Sequence, residues 1–203
     1  MSPTRRPERT PAAISERARL FVALELPAPV RAAVRRWAER ALRDAPGLRL
    51  VAPESLHVTL CFLGGRPGEE IAAIAAACRT AAPGPALDLA LGDVLWLPPR
   101  RPRVLALAVR DPAGALAALQ ARLARALAGG GWYAPERRPY TPHVTVARVG
   151  RPGLPGLAGL AAPGDPGFRA TAVTLYRSFT DPGGARYEAL ETVALAGSAA
   201  TDR

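Results

Sequence analysis

From Arg19 the chain opens with RLFVALEL, an apolar run with the length and composition of a buried strand. PAPVRAAVRRWAERALRD follows, with Pro at its start and Val30, Val34, Trp37 and Ala41 at helical spacing, which predicts a helix with one apolar face. A short extended piece at Leu48 to Val51 and the strand LHVTLCFLG come next. A second helix is predicted over PGEEIAAIAAACRTAA, where the opening acidic residues suit the helix dipole. Leu87 to Leu97 reads as extended and closes the first half. RVLALAV and DPAGALAALQARLARALAGG then repeat strand and helix, the latter with an Asp cap and a Gly stop.

After WYAPERRPYTP the pattern predicts a strand at HVTVARV, a Gly/Pro-rich loop from Gly150 to Gly167, and extended runs at FRATAVTLYRSF and RYEALETVAL. Asp-Pro-Gly-Gly between those runs signals a hairpin. Residues 1–18 mix Pro, Ser, Thr and charge without apolar periodicity and read as a basic, disordered tail; 197–203 reads as a flexible C-terminus. Residues 19–196 then form one domain. Strands interleaved with helices in this order point to an α+β or α/β two-layer architecture with two similar lobes. Sheet register is not readable from the pattern.

Composition narrows the chemistry. The 203 residues carry 27 basic and 17 acidic side chains, a net charge of +10, so the surface favours polyanions. Every basic residue is Arg. With no Lys in the chain, Schiff-base chemistry, a P-loop lysine and a lysyl-nucleotide intermediate are excluded. Cys61 and Cys78 are too few for a disulfide framework, which together with the absence of a signal-peptide-length apolar core or an 18-residue apolar span predicts a cytoplasmic protein without a membrane anchor.

The chain contains two histidines, and each opens the same pattern: His57-Val58-Thr59-Leu60 and His143-Val144-Thr145-Val146. On a strand, residues i and i+2 share a face, so each half offers one imidazole and one hydroxyl opposite a core-facing apolar pair. One HxT is weak evidence, since a solitary strand histidine is commonly structural. Two copies that use the whole histidine complement, one per half, point to paired chemistry. In-line phosphoryl transfer needs a base on one side of phosphorus and an acid on the other, and imidazole serves in either role. Threonine hydroxyls suit the non-bridging oxygens.

Rival chemistries fit less well. His57, Thr59 and Cys61 share a face by strand parity, but Cys61 lies roughly 13 Å along the strand from His57, too far to share one metal ion. A serine or cysteine hydrolase lacks a nucleophile elbow. Cys61 reads as a buried strand cysteine.

RLFVALELP, LHVTLCFLG, RPYTPHVTVAR and LYRSFTDPGGARYEAL, taken in order, resemble the RNA 2′,3′-cyclic phosphodiesterase family, also called 2′-5′ RNA ligases, of the two-histidine phosphoesterase superfamily. The resemblance runs from about Arg19 to Leu195. It implies an α+β bilobal fold of two pseudo-symmetric lobes, each with an antiparallel-rich sheet and flanking helices, facing across an active-site cleft. It implies hydrolysis of a terminal RNA 2′,3′-cyclic phosphate to a 2′-phosphomonoester, without metal or other cofactor, and ATP-independent 2′-5′ ligation in reverse. By the same resemblance His57 and His143 are catalytic, His143 as base and His57 as acid, and Thr59, Thr145 and Arg138 hold phosphate. Arg148, on the face opposite His143 by parity, is expected to be structural. Trp132 and Tyr140 are candidates for stacking a terminal base. The expected partner is RNA with a 2′,3′-cyclic phosphate end, bound by a monomer. A small cyclic phosphate or a 2′-5′ oligoadenylate as substrate, or a non-catalytic RNA-binding module, remain the alternatives.

Overall fold

The structure, a computed structural model, describes residues 17–45, 47–136, 138–150, 160–164, 167–181 and 184–196. The elements run β1 (Arg17–Glu25), α1 (Ala28–Ala41), β2 (Leu48–Leu50), β3 (His57–Pro67), α2 (Ile71–Ala81), β4 (Leu87–Leu97), β5 (Val104–Arg110), α3 (Ala115–Gly129), β6 (His143–Val149), β7 (Gly167–Ala170), β8 (Ala172–Asp181) and β9 (Gly184–Ala194). Helix and strand positions follow the apolar periodicity closely. α1 buries Val30, Val34, Trp37 and Ala38, and α3 buries Leu116, Leu119, Leu123, Ala124 and Leu127, each a single stripe at 3.6-residue spacing.

The start of α3 shows how the Asp cap works. Gly114 takes a left-handed φ of 68°, turning the chain so that the Asp111 carboxylate accepts the backbone N–H groups of Ala115 at 3.0 Å and Ala117 at 3.1 Å. Glu69 and Glu70 sit in a 3-10 turn ahead of α2.

Three expectations are revised. β1 starts at Arg17, with Arg17 and Ala18 paired to Pro67 and Arg66, two residues inside the expected tail; residues 1–16 and 197–203 lie outside the described residues. FRATAVTLYRSF is two strands, because the chain breaks at Thr171: β7 pairs with β4 while β8 pairs with β1. Gly150 to Gly167 lies largely outside the described residues, but Gly167 already belongs to β7, and the indole N–H of Trp37 donates to Ala161 O at 3.0 Å.

The strands order as β7-β4-β5-β6-β3-β1-β8-β9, with β2 on the other side of β6. All these strand pairs are antiparallel. One pair, Val58 with Val144, joins β3 to β6. The sheet therefore divides at that point into two lobes, β3-β1-β8-β9 and β7-β4-β5-β6-β2, and the two sequence halves interleave between them. The late hairpin β8–β9 completes the sheet of His57, whereas the early β2 completes that of His143. The helices cross over too: α1 packs toward β6, and α3 packs on β3 and α2. Their apolar stripes meet a core of fully buried leucines including Leu20, Leu24, Leu105, Leu107, Leu119 and Leu123.

Candidate active site

Val58 and Val144 are fully buried, and the residues on either side of each face away from the core. The antiparallel register of that one pair sets Thr59 across from His143 and Thr145 across from His57. The two histidines are thus diagonal neighbours, and such positions stand about 7–8 Å apart. That span accommodates one tetrahedral phosphate between two ring nitrogens.

Both imidazoles are tethered alike. The Nδ1–H of His57 donates to Ser55 O, and that of His143 to Thr141 O, each at 2.8 Å and each to the carbonyl two residues upstream. A carbonyl only accepts, so Nδ1 carries the hydrogen in both rings and Nε2 is left for proton transfer. At His57 the Thr59 hydroxyl donates to Nε2 at 3.0 Å.

His57 is further boxed by aromatic rings. Phe21 lies 4.9 Å from its centroid and Tyr187 meets it edge-on at 5.3 Å, with Tyr176 stacked behind Phe21 at 5.2 Å. Tyr176 is anchored in turn through its hydroxyl to Glu25, which also accepts from Thr174 at 3.2 Å. Burial pushes the His57 pKa down to about 4, aided by the charges of His143 and Arg148 and opposed by the Ser55 hydrogen bond. At neutral pH the ring is neutral and its Nε2 is a proton acceptor.

This burial predicts a stability profile. The folded-state pKa lies below the usual 6.5, so between pH 6.5 and about 4 the unfolded chain binds more protons and stability falls as pH falls. The whole window corresponds to at most about 3 kcal/mol. Urea unfolding between pH 7 and 5 should show a midpoint that drops with pH in the wild type and drops less in His57→Gln. An unchanged slope in the variant contradicts a buried neutral His57.

Two cavities open from the motif pair. His57 and Thr145 line one of about 500 Å³, together with Phe21, Tyr187, Arg49 and Arg148. His143 lines the other, of about 630 Å³, together with Arg138, Tyr140 and Tyr133. Thr59 and Phe62 border both. Arg138 is exposed on the His143 side. The Tyr140 hydroxyl donates to Thr59 O at 3.0 Å, tying its loop to β3, and burial raises its pKa. Trp132 packs against the core, its carbonyl bonded by Arg66, and lines neither cavity.

Strand alternation breaks at one place in each motif strand. Opposite β1, Val22 faces Cys61 and Ala23 faces Thr59, leaving Leu60 as a bulge; opposite β5, Leu105 faces Ala147 and Ala106 faces Thr145, leaving Val146 as a bulge. Each extra residue flips the strand. Cys61 and Ala147 turn into the core, while Phe62 and Arg148 emerge beside the motif threonines. Cys61 therefore does not share the His57 face, and burial pushes its thiol up to about 12. Arg148 is not confined to a structural role but lines the His57 cavity. A signal was present: an adjacent apolar pair, Leu60-Cys61 and Val146-Ala147, interrupts alternation at the same place in both copies. Phe21 and Tyr187 carried no comparable signal, since β1 and β9 reach His57 only through the sheet order.

The chain is similar to known proteins in both sequence and fold. The family profile of the 2′-5′ RNA ligase superfamily matches residues 26–181. An RNA 2′,3′-cyclic phosphodiesterase of Escherichia coli (strain K12) is 34% identical over 184 residues, spanning 90% of this chain and 99% of that protein. Among solved structures, E. coli LigT in its apo form superposes with a TM-score of 0.75 at 31% identity, and TT0787 of Thermus thermophilus with 0.76 at 29%. Each alignment covers 89% of this chain and 99% of the other. With paired HxT strands, matched imidazole tethers and a profile match across most of its length, the chain belongs to the 2′-5′ RNA ligase superfamily.

Proposed function

We propose that this protein hydrolyses the 2′,3′-cyclic phosphate at RNA 3′ ends to a 2′-phosphomonoester, by metal-independent acid–base catalysis from His57 and His143. The observation that supports the reading is the antiparallel meeting of the two HxT motifs across Val58 and Val144, which makes the two histidines diagonal neighbours, each tethered through Nδ1 with Nε2 left for proton transfer. The name of the E. coli relative, an RNA 2′,3′-cyclic phosphodiesterase, supports the same activity.

In this reading the Nε2 of His143 takes a proton from water as its oxygen attacks phosphorus. The P–O3′ bond breaks opposite, and the Nε2–H of His57 protonates the leaving O3′. Thr59, Thr145 and Arg148 hold the non-bridging oxygens, with Arg138 at the His143 side of the cleft. For this role His57 must be protonated, whereas burial favours its neutral form in the protein alone. The negative charge of the cyclic phosphate opposes that desolvation, so His57 gains its proton as substrate binds. With a 5′-hydroxyl in place of water as the nucleophile, the same forward steps make a 2′-5′ linkage without ATP, and their reversal cleaves it. The protein acts as a monomer in the cytoplasm, where its two buried free cysteines stay reduced.

The test is product analysis on a short RNA ending in a 2′,3′-cyclic phosphate, with and without EDTA. The expected product is the 2′-phosphomonoester, formed equally in chelator. A 3′-phosphomonoester overturns the direction of cleavage; loss of activity in EDTA, restored by one divalent ion, overturns the metal-independent mechanism.

A further inference from the structure

Beside the catalytic cleft lies a larger cavity of about 880 Å³, and Arg49, Arg148 and Tyr187 line both spaces. Arg49 on β2 stands directly opposite Arg148 on β6. Like charges in that cross-strand position repel and destabilise the sheet. Among the described residues neither guanidinium makes a hydrogen bond or ion pair that would offset the repulsion. Farther out, Arg35 is paired with Glu39 at 2.6 Å, and Arg186 rests its guanidinium 4.3 Å from the Phe179 ring centre. Counting Glu39 and Glu54, the walls carry four arginines against two carboxylates, and the excess charge sits at the boundary with the cleft.

The reaction geometry points the same way. If His57 protonates the leaving O3′, the terminal ribose lies on the His57 side of phosphorus, and the RNA continues from that ribose toward its 5′ end. The Arg49 boundary and the larger cavity are on that side, with Ser55 and Tyr187 lining both spaces around His57. Water, or an incoming 5′-hydroxyl, approaches from the His143 cavity. With Arg148 at the scissile phosphate, Arg49 across from it stands where the second phosphate of the chain arrives.

We infer that Arg49 binds the phosphodiester one nucleotide upstream of the cyclic phosphate, with the RNA body laid along the arginine-lined cavity past Arg186. This rests on the phosphodiesterase reading above and deepens it: the substrate is an oligonucleotide end, and a nucleoside 2′,3′-cyclic monophosphate leaves the outer site empty. Arg148 faces the scissile phosphate while Arg49 takes its neighbour, which resolves the repulsion between them by placing an anion on each.

The experiment compares kcat/KM for a 2′,3′-cyclic mononucleotide and for a tetranucleotide with the same terminus, in wild type, Arg49→Ala and Arg186→Ala, at two salt concentrations. The wild type should prefer the tetranucleotide at least tenfold. Arg49→Ala should reduce that preference roughly tenfold, and the tetranucleotide's log–log salt slope should shrink by about 0.7, one single-strand phosphate contact. Arg186→Ala should reduce the preference less. A preference preserved in Arg49→Ala, or absent from the wild type, overturns the inference. If the wild type turns over neither substrate, the phosphodiesterase reading fails separately. Fluorescence anisotropy with a tetranucleotide ending in a 2′-phosphate then decides the groove, which stands if Arg49→Ala weakens binding about tenfold and falls if affinity is unchanged.

Discussion

Replacing His57 or His143 with Ala should each lower turnover of a cyclic-phosphate RNA by about 10²- to 10⁴-fold, the share of one general acid or base. The loss should be chemical, because the core-facing residues of these strands are Val58 and Val144 and the imidazoles face the cleft. Circular dichroism at pH 7 should therefore stay near wild type for both, as should the urea midpoint of His143→Ala, while that of His57→Ala falls because the ring's packing against Phe21 and Tyr187 is lost. Both histidines act on one transition state, so the double variant should be far less impaired than the product of the two single losses. The roles separate with a phosphodiester whose leaving group is p-nitrophenolate, which departs without protonation. On that substrate His57→Ala should recover most of its loss and His143→Ala should not. Two single variants within tenfold of wild type end the two-histidine mechanism, and rescue of His143→Ala in place of His57→Ala reverses the acid and base.

Arg148→Ala should cost about 10- to 100-fold in kcat/KM, in line with roughly 1.5–3 kcal/mol for a hydrogen bond to a charged group. Arg148 lies where the β6 bulge delivers it, beside Thr145 and within the cavity of His57. Its charge also lowers the His57 pKa, so the variant should bind the proton on His57 more readily as well as grip phosphate less. The acidic limb of the stability profile should accordingly flatten in Arg148→Ala. Arg148→Lys should restore part of the charge effect but little of the catalytic loss, since an ammonium lacks the two-pronged donor geometry of guanidinium. Arg138→Ala, at an exposed position on the opposite cavity, should cost less than Arg148→Ala. If the order of the two arginine variants inverts, Arg138 holds the phosphate and Arg148 does not.

These expectations separate what periodicity reveals from what it hides. Repetition made the HxT pair readable: two identical patterns exhausting the histidines needed no coordinates. The helices were equally plain, because their apolar stripes repeat every 3.6 residues and Asp111 and Gly114 mark where α3 begins. Facing was harder. Strand parity assumes an unbroken count of two, and one bulge after each threonine reversed it, moving Arg148 into the cleft and Cys61 out of it. Contacts between distant segments were hidden altogether. Nothing in RYEALETVAL shows that Tyr187 will touch His57, since that depends on β9 lying three strands from β3 and curling over its ring. The break at Thr171 was hidden for the same reason: β7 leaves its own run to join β4.

The crossing of strands and helices between the lobes bears on how such a protein is inherited. β2 and β4 are encoded early and β5 to β7 late, yet they make one lobe of the sheet; β1 and β3 are early and β8 and β9 late, yet they make the other. A genetic exchange near the midpoint that paired one histidine half with a foreign partner would strand hydrophobic faces in both lobes at once. Each imidazole therefore depends for its sheet on strands from the other half of the chain, so neither half folds its own lobe alone.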